Sequence, residues 1–184
     1  MARPAGNTIQ FMNRTILFAE EDGNHRSFLQ SALRRVGLDD NLRMVQDGQE
    51  ALDYLQGIEA FGGQAAVSTP GLVLLGLSLP RIAGFEVLRW IRKQRALDAT
   101  AVILLADDRE EADLQKAYEL RANSLLLKPT RVEGWNRIGR ALKEYWFGLN
   151  LVPRTNRIRG SFAVKTRQNG TPLTQGLHLT RCAV

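Results

Sequence analysis

Residues 71–84 read GLVLLGLSLPRIAG. Gly71–Leu75 is apolar throughout and has the length of a strand, so both of its faces must be covered. Gly76, Pro80 and Gly84 then interrupt the chain, and beyond them Phe85, Leu88 and Ile91 fall on one side of a helix. A buried strand followed by a helix with one apolar side is the unit to look for elsewhere.

It recurs on both sides. Upstream, TILFA (Thr15–Ala19) is a short apolar run closed by Glu20, Glu21 and Asp22. Asn24 is a plausible helix N-cap, and Phe28, Leu29, Ala32, Leu33 and Val36 form an apolar face that stops at Gly37. LRMV (Leu42–Val45) is a weaker second strand, followed by an Asp47-Gly48 turn and a short helix carrying Ala51, Leu52 and Leu55. Residues 57–70 hold three Gly and a Pro without periodicity and read as a long loop. Downstream, AVILL (Ala101–Leu105) is strand four, the acid-rich DDREEAD opens helix four, and SLLLKP (Ser124–Pro129) is strand five. The last helix starts at Val132 and spaces Trp135, Ile138, Leu142 and Tyr145 at 3-4-3.

Five apolar strands alternating with five helices predict an α/β domain: a doubly wound, five-stranded parallel sheet with helices on both faces. Ligands in such sheets collect at the carboxyl ends of the strands. The candidate functional residues are therefore those that follow strands one, three, four and five.

Charge divides the chain differently. The net charge is +6, yet residues 1–150 are neutral, and all six excess positives (Arg154, Arg157, Arg159, Lys165, Arg167 and Arg181) lie in the last 34 residues, which contain no acid. The expected organisation is an extension over 1–13, a domain over 14–150, and a basic, disordered tail over 151–184. No apolar run is long enough for a membrane span, and the first residues lack the apolar centre of a secretory signal, so a cytoplasmic protein is expected. Cys182 has no second cysteine to pair with, and His25 and His178 stand far apart, which argues against a disulfide framework or a zinc site.

LFAEED, LLGLSLPRIAGFEVL, ILLADD and RANSLLLKP resemble, in order, the four signature segments of the response-regulator receiver domain, a flavodoxin-like fold, across residues 14–148. The pattern is most similar to stand-alone receivers partnered with bacterial phytochrome kinases, which share the long loop before strand three and an aromatic end to helix five, here EYWFGLNLVP. The resemblance implies an acidic pair for Mg²⁺ after strand one, an Asp nucleophile after strand three, a Ser/Thr after strand four and a Lys after strand five. Phosphoryl transfer explains the set: an in-line nucleophile, a hard cation bridging oxygens, and donors for developing charge.

Carried over by position, the acidic pair is Glu21 and Asp22 and the lysine is Lys128. The nucleophile position holds Gly76 and the hydroxyl position holds Ala106. A glycine has no side chain to attack phosphorus, and no other Asp or Glu lies between Glu59 and Glu86. Phosphorylation in the family's manner is thereby excluded on this reading. Glu21 and Asp22 are expected to pair with Lys128 and to hold Mg²⁺ weakly at best, so no cofactor is assigned. Leu125 stands at the aromatic switch position, which with Ala106 predicts a fixed conformation. The family's usual Gly at the end of helix four is Arg121 here, a strained residue if the backbone is left-handed.

The resulting expectation is a phosphorylation-independent pseudo-receiver, not an enzyme, that works by protein contact with a sensor histidine kinase, another regulator or a second copy. Tyr145, Trp146 and Phe147 are consecutive and cannot all face inward, so at least one is expected to be exposed. The alternative is nucleic-acid binding through the basic tail, where only Phe162 is available to stack on bases.

Overall fold

A computed structural model describes residues 14–57 and 69–151. The expected extension over 1–13, most of the loop and nearly all of the tail lie outside these residues. The strands are β1 (Ile16–Ala19), β2 (Leu42–Val45), β3 (Leu72–Gly76), β4 (Ala101–Ala106) and β5 (Ser124–Leu127). The helices are α1 (Gly23–Arg35), α2 (Gly48–Gln56), α3 (Gly84–Lys93), α4 (Glu111–Glu119) and α5 (Val132–Ala141).

All pairings are parallel and the strand order is β2-β1-β3-β4-β5, so the doubly wound reading holds. The inner strands β1, β3 and β4 are buried at every residue, whereas the edge strand β2 is buried only at its ends. Odd-numbered β1 and β3 residues (Leu17, Ala19, Val73, Leu75) pack with α3's Val87, Leu88 and Ile91, and with Tyr54 of α2. Even-numbered ones (Ile16, Phe18, Leu72, Leu74) pack with Leu29 and Leu33 of α1 and Trp135 of α5. This alternation is the strand period of two, and it decides which acid enters the site at the carboxyl end of the sheet.

Three local expectations are corrected. The N-cap of α1 is Asp22, whose Oδ1 accepts from the Asn24 N–H at 2.7 Å, and not Asn24 itself. Strand three runs one residue further than read, to Gly76, which pairs with Leu105. The last helix does not keep its 3-4-3 period. Leu142–Leu149 is π-helical, and its wider turn brings Phe147 beneath Leu142, five residues on, leaving Tyr145 exposed at 54%. Phe147 is buried and Trp146 partly so, which fits the expectation that one of the three aromatics faces solvent. Arg121 has φ of 62°, the left-handed conformation the missing glycine implied, and so does Arg81 in the β3–α3 turn.

Gly84 is required where it stands. A Cβ there would lie 2.1 Å from the Gly76 carbonyl oxygen, so only glycine lets α3 begin against the end of β3. Among the described residues, no helix is long and apolar enough to cross a membrane.

Candidate functional site at the carboxyl end of the sheet

β1 and β3 pair in the register Ala19↔Leu75, so the next residues, Glu20 and Gly76, stand opposite one another. Glu20 continues the ladder, its N–H donating to the Val45 carbonyl at 3.1 Å. Its even number places its side chain on the α1 and α5 face, as for Phe18 and Leu74. Lys128 follows β5 with the parity of Leu126, which packs on that same face. Glu20, Gly76 and Lys128 thus converge because strands alternate, although they lie far apart in sequence.

The side chain of Glu20 is fully buried, and that of Lys128 nearly so. Lys128 Nζ donates to Glu20 Oε1 at 3.3 Å and lies 3.2 Å from Oε2. It also reaches Asp107, just beyond β4, at 3.1 Å. Glu20 Oε1 further accepts from the Asp22 N–H at 3.2 Å and sits 3.3 Å from His25 Nδ1. The His25 ring leans on Trp135 with centroids 5.3 Å apart, and Trp135 Nε1 donates to the Pro129 carbonyl at 2.9 Å. Burial opposes the charged lysine, but the facing carboxylates of Glu20 and Asp107 outweigh it and hold its pKa above the ordinary value.

Glu20 Oε2 is buried and makes no hydrogen bond, touching Nζ as a charge contact alone. It is aimed at Gly76: a Cβ built on that glycine would be 3.2 Å from Oε2 and 3.3 Å from Leu79 Cδ2. The volume that a side chain at residue 76 would claim is therefore already bordered by the Glu20 carboxylate and by Leu79.

The expected acidic pair is corrected by this geometry. Glu21 is exposed and has no contact with Lys128. Asp22 has left the sheet to cap α1, and the backbone N–H of Asn24 holds its carboxyl below the usual range. The lysine's partners are Glu20 and Asp107. Counting the acids from the end of the cluster EED shifted the assignment by one residue; strand parity relative to Gly76 would have selected Glu20. Asp107 directly follows Ala106, whose carbonyl accepts from the Lys128 N–H at 2.8 Å, so its nearness to the lysine was inferable once β4 and β5 were taken as neighbours. His25 also joins this cluster, and its approach to Glu20 depends on how α1 leaves β1, for which no sequence signal exists.

A divalent-ion site of three carboxylates does not fit these residues. Gly76 supplies none, Glu20 is spent on a lysine, Asp22 on a helix end, and no group of three or more His, Cys, Asp or Glu suited to a metal occurs among the described residues. The cluster is an ion-pair network in which the single buried lysine is shared by the buried Glu20 and the half-exposed Asp107, and Gly76 adds no carboxylate at the end of β3.

The sequence pattern of the response regulator receiver domain matches residues 16–135. The probable methanogenesis regulatory protein FilR2 of Methanothrix harundinacea is 38% identical over 138 residues, covering 75% of this chain and 86% of that protein. Two solved structures are similar in sequence and fold. The response regulator RPA3017, from red light signaling of R. palustris, has a TM-score of 0.69 at 29% identity, over 77% of this chain and 99% of that one. The phosphorylated cyanobacterial phytochrome response regulator RcpA has a TM-score of 0.67 at 27% identity, over 76% and 99%. The likeness to phytochrome-associated regulators read from the long loop and the aromatic helix end agrees with these neighbours. The chain belongs to the response regulator receiver domains of two-component signalling.

Proposed function

We propose that this receiver works without phosphorylation, as an interaction module that binds a sensor histidine kinase, another regulator or a second copy of itself. One observation carries the reading: β3 ends in Gly76, and the space beside it belongs to Glu20, whose carboxylate neutralises Lys128. In the family's chemistry that lysine meets the phosphoryl group bound to the aspartate at the end of β3. Here a permanent carboxylate from β1 faces it instead, so the lysine is engaged from the start and there is nothing to attack phosphorus. Ala106 offers no hydroxyl and Leu125 no aromatic ring, which fits a domain held in one conformation. The receiver spans residues 14–150, with the basic segment 151–184 as an appendage. Neither catalysis nor a resident Mg²⁺ is assigned.

Incubation of the full chain with acetyl phosphate and millimolar Mg²⁺ tests this. The expected mass spectrum shows the unmodified protein. A base-labile adduct of one phosphate on any Asp or Glu refutes the reading.

A further inference from the structure

The two ends of α4 carry opposite charge that finds no ion-pair partner among the described residues. At its C-terminal end a cleft of about 220 Å³ is lined by Arg89, Arg92 and Lys93 of α3 together with Glu119, Leu120 and Arg121. Arg92 is the fixed wall: Nε donates to the Arg121 carbonyl at 2.9 Å, Nη1 to the Thr100 carbonyl at 3.1 Å, and Nη2 to Asn123 Oδ1 at 2.9 Å. Arg89, Lys93 and Arg121 are exposed and make no ion pair or side-chain hydrogen bond among the described residues. Arg89 and Lys93 stand one helical turn apart, a like-charge pair that weakens an isolated helix. Three open cations around a concavity, none held in an ion pair among the described residues, are a binding feature.

At the other end of α4 lies the acidic entrance. Asp107 is taken by Lys128, but Asp108, Glu110, Glu111 and Asp113 have no cationic partner among the described residues, and only Arg109 interrupts them. A nine-residue helix is about 13 Å long, so one molecule cannot bring its acidic end to its own basic cleft.

We propose that this cleft is a docking site for a second copy of the chain, which inserts the acidic entrance of its α4. Several carboxylates distributed over a turn match cations distributed over a turn, which a single small anion does not. Glu119 on the rim, and the acids along the same helix, disfavour a nucleic-acid backbone crossing this face. Because the two patches differ, the contact is head-to-tail, and each added copy leaves one cleft and one acidic end free. The inference goes beyond the phosphate-independent reading and does not rest on it, since neither patch uses Glu20, Gly76 or Lys128.

Sedimentation of the full chain at low and high salt is the test. At low ionic strength the weight-average mass is expected to rise with concentration, and about 0.5 M NaCl should return it to the monomer by screening. Two exposed-residue variants then separate the patches: Arg89→Ala with Lys93→Ala, and Asp108→Asn with Glu111→Gln. Each alone should stay monomeric at low salt, and an equimolar mixture should form a 1:1 dimer and nothing larger, because only one intact cleft and one intact acidic end remain. A wild-type chain that stays monomeric at low salt overturns the proposal. So does assembly that survives in the Arg89/Lys93 variant, which would assign it to another surface such as the basic tail, or a mixture that fails to pair.

Discussion

The carboxyl end of the sheet and the C-terminal ends of α3 and α4 handle positive charge in opposite ways. Lys128 is buried, and every neighbour that matters to it is an acid of the same chain. Around Arg92, a single cation is tied into the backbone while Arg89, Lys93 and Arg121 are left to solvent. Internal closure makes a region structural, because removing any member exposes the others to an uncompensated charge. Leaving charge open costs stability little and leaves it available to a partner. By this criterion the carboxyl end of the sheet is built as scaffold, which supports the proposed phosphorylation-independent reading.

The sharpest way to break the contrast is Lys128→Met. It strands the fully buried Glu20 carboxylate, and the expected loss is about 3–5 kcal/mol in denaturant unfolding, as for other broken buried pairs. Adding Glu20→Gln to the same chain should recover most of that loss, since burying two neutral groups costs far less than burying one charge. The raised pKa of Lys128 gives the sign with pH. Its contribution is complete below the ordinary 10.5 and disappears as pH rises through the higher folded value, so the wild type, unlike the double variant, should lose stability in that alkaline window. If Lys128→Met unfolds no more easily than the wild type, the network is not structural.

Gly76→Asp comes next, expected to destabilise by about 2 kcal/mol in metal-free buffer because a second carboxylate is forced against Glu20 Oε2 and Leu79. The crowding of carboxylates that causes the loss favours a cation. Millimolar Mg²⁺ should therefore raise the melting temperature of Gly76→Asp with Ala106→Thr far more than that of the wild type. Labelling by acetyl phosphate should then appear, slowly. A folded double variant with neither response would mean that these strand ends no longer have the geometry of a phosphorylation site.

The fold was legible because β1, β3 and β4 are apolar without alternation and each is followed by an amphipathic helix. Gly76, Ala106 and Lys128 were legible because each ends a strand or follows one, and strand ends are where such sheets gather their chemistry. Choosing among Glu20, Glu21 and Asp22 required knowing which residues share a face, and three consecutive acids carry no marker of where the strand stops. The turn at Leu142 was illegible for a related reason. A π-turn is not signalled by composition, so a 3.6-residue count taken past it put Tyr145 on the apolar face, whereas Tyr145 is exposed and Phe147 is buried.

The smallest expected effect lies on the rim of the closed region, where Asp47 joins the β2–α2 and β3–α3 turns. Asp47 is the N-cap of α2: its Oδ1 accepts from the Glu50 N–H at 2.9 Å, while Glu50 Oε2 accepts from the Gln46 N–H at 2.9 Å, a reciprocal arrangement close to a capping box. The same carboxylate accepts from the guanidinium of Arg81, the residue held left-handed in the LPRIAG turn. Asp47→Ala removes both roles and should cost about 1 kcal/mol, the usual value of a lost cap. Asp47→Asn keeps a good cap and removes only the charge, so it should cost a few tenths of that, as expected for an ion pair whose arginine is largely in solvent. The two roles also separate with pH. Partial burial opposes ionisation of Asp47, but the hydrogen bonds from Arg81 and from the backbone N–H groups of Glu50 and Gln49, with the charge of Arg81, together outweigh it and lower its pKa, so its charge contributes stability above the ordinary 3.8 that is lost as pH falls through the lower folded value. The stability difference between wild type and Asp47→Asn should therefore vanish below that window, and the Asp47→Ala deficit should shrink there without closing, since a protonated carboxyl still accepts from the Glu50 N–H. Equal losses for Asn and Ala at neutral pH would show that Arg81 is held by the charge, and that the turn next to Gly76 depends on an ion pair more than on the helix cap.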